Sequence, residues 1–133
     1  GRDDGGMPPR RRIDPVAGRE AVVAWHADPD AADRSTVATA VRYTLEELSL
    51  LAPGRSVEVR VPPYGAVQVI EGPRHTRGTP TNVVEMDAQV WLRLATGATR
   101  WVDAEDSGAV RASGQRADLS RHLPLVPLAD GSA

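Results

Sequence analysis

Cysteine and phenylalanine are absent from this 133-residue chain, all 16 basic residues are arginine, and aromatic residues make up only 4% of it. Without cysteine there is no disulfide, no thiolate nucleophile and no zinc site that depends on sulfur, so redox logic says nothing about compartment. Without lysine there is no Schiff-base chemistry and no invariant lysine of a phosphate-binding loop. No stretch reaches the roughly 18 consecutive apolar residues of a membrane span. No apolar segment follows the N-terminal arginines as it would in a secretory leader. The expectation is a soluble, cytoplasmic protein with no stable membrane insertion.

Leucine, isoleucine and valine together supply about a fifth of the chain, close to the floor below which chains stay disordered. A net charge of only −2 argues for a fold all the same, with a lean core of valine and leucine. The length fits one domain. Residues 1–12, "GRDDGGMPPRRR", lack apolar periodicity and are expected to be a disordered tail, with Met7 a candidate natural start. Residues 13–128 are expected to form the domain, and residues 129–133 a disordered end. "PPRRR" at Pro8–Arg12 is the one basic run in a slightly acidic chain, so no nucleic-acid partner is expected.

Along the chain, Asp14 followed by Pro15 predicts a helix start, with Val22 and Trp25 on its apolar face and a stop before Pro29. Val37, Val41, Leu45, Leu48 and Leu51 recur at helical steps after Asp33 or Ser35, and Pro53-Gly54 closes that second helix. "SVEVRV", "PPYG" and "AVQVIE" read as a hairpin. "GPRHTRGTP" is a loop, "TNVVEM" a short strand, and Asp87 caps a helix that Gly97 ends. A short helix over Trp101–Asp106, a strand in "AVRAS", a helical turn at Asp118–His122 and a proline-broken apolar tail complete the order. Strands and helices that do not alternate strictly point to an α+β fold, a small mostly antiparallel sheet of four or five strands covered on one face by helices.

Little in the chain points to catalysis. His26 with Asp28, Asp30 and Asp33 suggests a carboxylate-rich metal loop, but Thr39 stands where the twelfth-position acid belongs, and a helix end joined to a helix cap accounts for the cluster. Ser113, Asp118 and His122 are the residue types of a nucleophilic triad without the G-x-S-x-G elbow. No G-x-G-x-x-G occurs, so Gly97, Gly108 and Gly114 serve backbone geometry and not phosphate. His75 between Arg74 and Arg77 is the most suggestive polar group, an anion or head-group contact or else a solvated loop. No catalytic residue, metal or cofactor is expected.

From Asn82 onward, "NVVEMDAQVWLRLATGATRWVDAEDSGAVRASGQRADLSRHLPL" resembles the C-terminal half of the sterol carrier protein 2 family. It is most similar to the short bacterial orthologues of high-GC actinobacteria. "VPPYGAVQVIEGPRHTRGTP" resembles the same subgroup, so the similarity spans roughly residues 14–128. The resemblance implies a five-stranded sheet covered by helices, with an apolar tunnel that binds sterols, fatty acids or acyl chains and performs no chemistry.

Leu45, Leu48, Val67, Val69, Val84, Trp91 and Leu94 are the candidate cavity walls, and Arg74, His75 and Arg77 the candidate head-group entrance. The same apolar residues read equally as plain core. The expected partner is therefore an apolar small molecule, with self-association left open. The alternative is an accessory or protein-interaction module with a collapsed cavity, since this domain type also occurs attached to enzymes. Glu105 and Asp106 depart from the pattern by placing adjacent charges where the short helix is expected to present an apolar residue.

Overall fold

Helix α1 (Pro15–Ala27) and helix α2 (Arg34–Leu51) begin the same way: an aspartate side chain accepts from an amide three residues on. Asp14 Oδ2 takes the Ala17 N–H at 3.2 Å and Asp33 Oδ1 takes the Thr36 N–H at 2.8 Å. Each cap satisfies an amide that the first turn leaves without a partner. The structure, a computed structural model, describes residues 12–72, 82–115 and 117–128. The two expected terminal tails, residues 1–11 with most of "PPRRR" and residues 129–133, lie outside the described residues.

The two helices pack through a close approach. A Cβ built on Gly18 would lie 2.3 Å from ring carbons of Tyr43, so only glycine lets α1 seat against α2 at this point. Val22 and Trp25 fill the rest of that face, and the Trp25 indole N–H donates to Gln89 Oε1 at 3.1 Å.

Strand β1 (Val57–Val61) turns through Pro62, Pro63 and Tyr64 into β2 (Gly65–Val69), with Val57 opposite Val69 and Val59 opposite Val67. Strand β3 (Asn82–Glu85) lies on the other side of β1 and parallel to it, Val59 facing Val84. Strand β4 (Arg111–Ser113) closes the order β2-β1-β3-β4, antiparallel to β3. The sheet is thus mixed, and four strands lie among the described residues, where the resemblance implied five. The parallel pair follows from the path of the chain: β2 ends opposite Val57 and β3 begins opposite the same residue, so β3 starts at the end of the sheet where β2 finishes, on the other side of β1.

Helix α3 (Ala88–Thr96) starts on Asp87, whose carboxylate accepts from Val90 N at 2.9 Å, and ends on Gly97 at φ 87°, the left-handed cap that was predicted. Helix α4 (Trp101–Asp106) follows. It resolves the Glu105–Asp106 anomaly. The helix anchors through Trp101 and Ala104, three residues apart, and leaves Glu105 and Asp106 in solvent. The turn near the C-terminus is a single 3₁₀ turn over Ser120–His122, two residues later in its start than the sequence suggested.

The inner sheet face carries Val57, Val59, Val61, Val69 and Val84, all buried, with α2 packed over β2. The outer face carries Glu58, Arg60, Glu85 and Arg111, joined at 2.9 Å (Arg60–Glu58) and 2.8 Å (Arg111–Glu85). Exposed pairs of this kind contribute about 0–1 kcal/mol each. Register and fold are set from the other side, by valines that a one-residue slip would turn out to water.

Candidate binding cleft

The seven sequence-nominated wall residues converge on one apolar cluster between sheet and helices. Leu45 and Leu48 come from α2, Val67 and Val69 from β2, Val84 from β3, and Trp91 and Leu94 from α3. All but Val67 are at most 2% exposed; Val67 is half-buried at the sheet edge. Around Trp91 the polar groups are paired. The Trp91 indole N–H donates to Thr44 Oγ1 at 2.8 Å, and the Thr44 hydroxyl donates on to the Ala40 carbonyl at 2.7 Å. Thr44 is itself fully buried, so this relay satisfies two side chains that would otherwise be costly to desolvate.

Leu94 belongs to two places at once. Its buried side chain also forms part of the floor of a cleft of about 510 Å³ at the C-terminal end of α3. One wall is Gly97, Thr99 and the α4 residues Trp101, Val102 and Glu105, with Arg100 beside them; the other is Asp118, Ser120, Leu123 and Pro124 from the C-terminal segment. Backbone bonds hold that second wall in place. Leu125 N and Val126 N both donate to Ala95 O, at 2.8 and 2.9 Å, and Leu128 N donates to Thr96 O at 3.1 Å. These bonds occupy carbonyls that the last turn of a helix leaves unpaired.

Trp101 is 7% exposed, and its indole N–H has no hydrogen-bond partner. A buried donor left unpaired costs about 1–3 kcal/mol, which makes Trp101 a donor that an incoming acceptor would relieve. The charges around it are mixed. The Asp118 carboxyl is held below its ordinary value by hydrogen bonds from Ser120, its Oδ1 accepting the Ser120 N–H at 2.8 Å, so it stays anionic. Glu105 adds a second carboxylate on the opposite wall, and Arg100, paired with Asp103 at 4.0 Å in solvent, is the cleft's cation. A cleft of this size falls within the range of about 300–1,000 Å³ usual for small-molecule sites, and its floor is apolar with a few polar groups at the mouth.

The sequence reading missed Trp101 and the C-terminal wall as site residues. The signal it did have was the proline-broken apolar tail after Leu119, read only as extended chain. Arg74, His75 and Arg77, the nominated entrance, lie outside the described residues. Ser113, Asp118 and His122 are not joined by any hydrogen bond, and no group of three or more metal-ligating side chains occurs among the described residues. No described helix is long and apolar enough to cross a membrane.

A family model described as bacterial SCP ortholog matches residues 33–125, taking in everything from the cap of α2 to the C-terminal wall of the cleft. The chain matches no curated protein.

Proposed function

The chain belongs to the bacterial SCP ortholog family, and we propose that it is a non-enzymatic carrier that binds an apolar small molecule, a fatty acid, sterol or acyl chain, through the cleft at the end of α3. The observation that supports this most is Trp101, a buried donor without a partner in the wall of a ligand-sized cleft. In this reading the apolar body of the ligand lies against Leu94, Val102, Leu123 and Pro124, and its entry uncovers the Trp101 indole nitrogen, closed to solvent in the free chain, so that an oxygen of the polar end accepts from it.

Burial is worth about 0.8 kcal/mol per methylene. Association costs about 4–15 kcal/mol before any contact counts. A short chain of about six methylenes would bring roughly 5 kcal/mol and hold weakly, whereas about 12–16 methylenes bring enough to leave a surplus. A ligand of that length extends past Leu94 toward Trp91, Leu45, Leu48, Val67, Val69 and Val84, which become its inner wall as they part. Arg74, His75 and Arg77 serve in this reading as the entrance that meets a carboxylate or phosphate head group.

A second reading, an accessory or interaction module, is favoured by the closed interior around Trp91 and Thr44. Native mass spectrometry of the purified chain separates the two. The carrier reading expects a copurified apolar adduct, or uptake from a panel of fatty acids of rising chain length with a change in tryptophan fluorescence. A clean mass with no uptake at any length would overturn it.

A further inference from the structure

Helix α1 lies before residue 33, where the family match begins, and it carries a second surface unrelated to the cleft. Its inner face is spent on α2 through Gly18, Val22 and Trp25. Its outer face leaves Val16 65% and Val23 47% exposed, two of the four large apolar side chains the described fold leaves in solvent. Val16, Arg19, Glu20 and Val23 follow the i, i+3, i+4, i+7 spacing and form one stripe. All four line a groove of about 610 Å³ that Tyr43 backs from α2. Neither Arg19 nor Glu20 forms a salt bridge among the described residues.

We propose that this face is a homodimer interface in which two copies of α1 pair antiparallel about a two-fold axis passing between Arg19 and Glu20. The order of residues in the stripe fits itself when reversed. An antiparallel two-fold sets Val16 of one copy against Val23 of the other and Arg19 against Glu20, and each contact occurs twice, as an isologous interface requires. A parallel pairing would set Arg19 against Arg19 and Glu20 against Glu20. A charged peptide would meet one attractive and one repulsive group on a stripe with no net charge. An anionic membrane surface selects a basic polar face, and here the lone arginine sits beside a glutamate. The second copy is the occupant that satisfies both charges and covers both valines.

Sedimentation velocity on the full chain tests this over about 10–200 µM, the range in which an interface of modest affinity populates dimer. The wild type is expected at twice the chain mass at the upper end. Glu20→Arg puts like charges across the axis twice and weakens the dimer by about tenfold or more. Arg19→Glu combined with Glu20→Arg restores opposite charges and returns the constant to within about threefold of wild type. Val23→Asp abolishes the dimer. All these positions are exposed, so circular dichroism should find the helix content of each variant unchanged. A wild type that stays monomeric across the range overturns the proposal, as does a double variant no tighter than Glu20→Arg alone. Ligand uptake at the cleft touches none of these residues and is unaffected by either result.

Discussion

Trp91 and Trp101 sit on consecutive helices, both are buried, and they are treated in opposite ways. Trp91 has its N–H on Thr44 Oγ1 at 2.8 Å, in an interior where both side chains are fully buried. Trp101 has no partner at all and stands in the wall of a 510 Å³ cleft. The difference separates the part of the molecule that folding has completed from the part it has left open. Leu94, buried in the first and forming the floor of the second, is the boundary between them.

The comparison can be broken by mutation, and the largest effect belongs to the interior. Trp91→Ala is expected to cost about 3–5 kcal/mol in chemical denaturation, because the surrounding core cannot collapse around so large a loss. Gly18→Ala pushes a methyl into the Tyr43 ring and is expected to cost about 1–3 kcal/mol, read as a lower denaturation midpoint at unchanged slope. Thr44→Val keeps the shape and removes the acceptor of the Trp91 N–H, for a loss of about 1–3 kcal/mol.

Trp101→Phe sharpens the contrast from the other side. It removes an indole N–H that bonds to nothing, so stability should stay within about 1 kcal/mol of wild type while uptake of an oxygen-bearing apolar ligand falls. A loss of stability approaching that of Trp91→Ala would mean the two sites are not different in kind. The smallest effect is electrostatic. The Asp118 carboxyl titrates below its usual 3.8 in the folded chain, so its contribution is present at neutral pH and lost as pH falls through the lowered value. Asp118→Asn should therefore flatten the decline in stability below about pH 4 and leave stability at pH 7 slightly reduced.

The interior was legible in the sequence because its signals are local. Asp14, Asp33 and Asp87 announce three helices, Gly97 ends one of them, and the alternation in "VEVRV" sets a buried face. The same seven apolar residues could be named as a cluster, but hydrophobicity reads alike in a filled core and a hollow one. The parallel pairing of β1 with β3 was not legible, since it depends on where a chain returns after β2 and not on any residue within the strands. Nor was the cleft. Its walls come from residues 94–105 and 118–124, and nothing in either stretch alone marks Trp101 as a donor left without an acceptor. Glu105 and Asp106 looked anomalous only because the helix was expected to anchor at its end instead of through Trp101 and Ala104.

The carbonyl of Ala95 accepts two amides at once, from Leu125 and Val126. These bonds fall on one short stretch of chain, and Val126, 2% exposed, packs that stretch into the core, so the C-terminal wall is tied to the end of α3 by backbone and side chain together. Deuterium exchange at the amides of Leu125, Val126 and Leu128 is expected to report a single shared opening, at a free energy no greater than that of unfolding the whole chain.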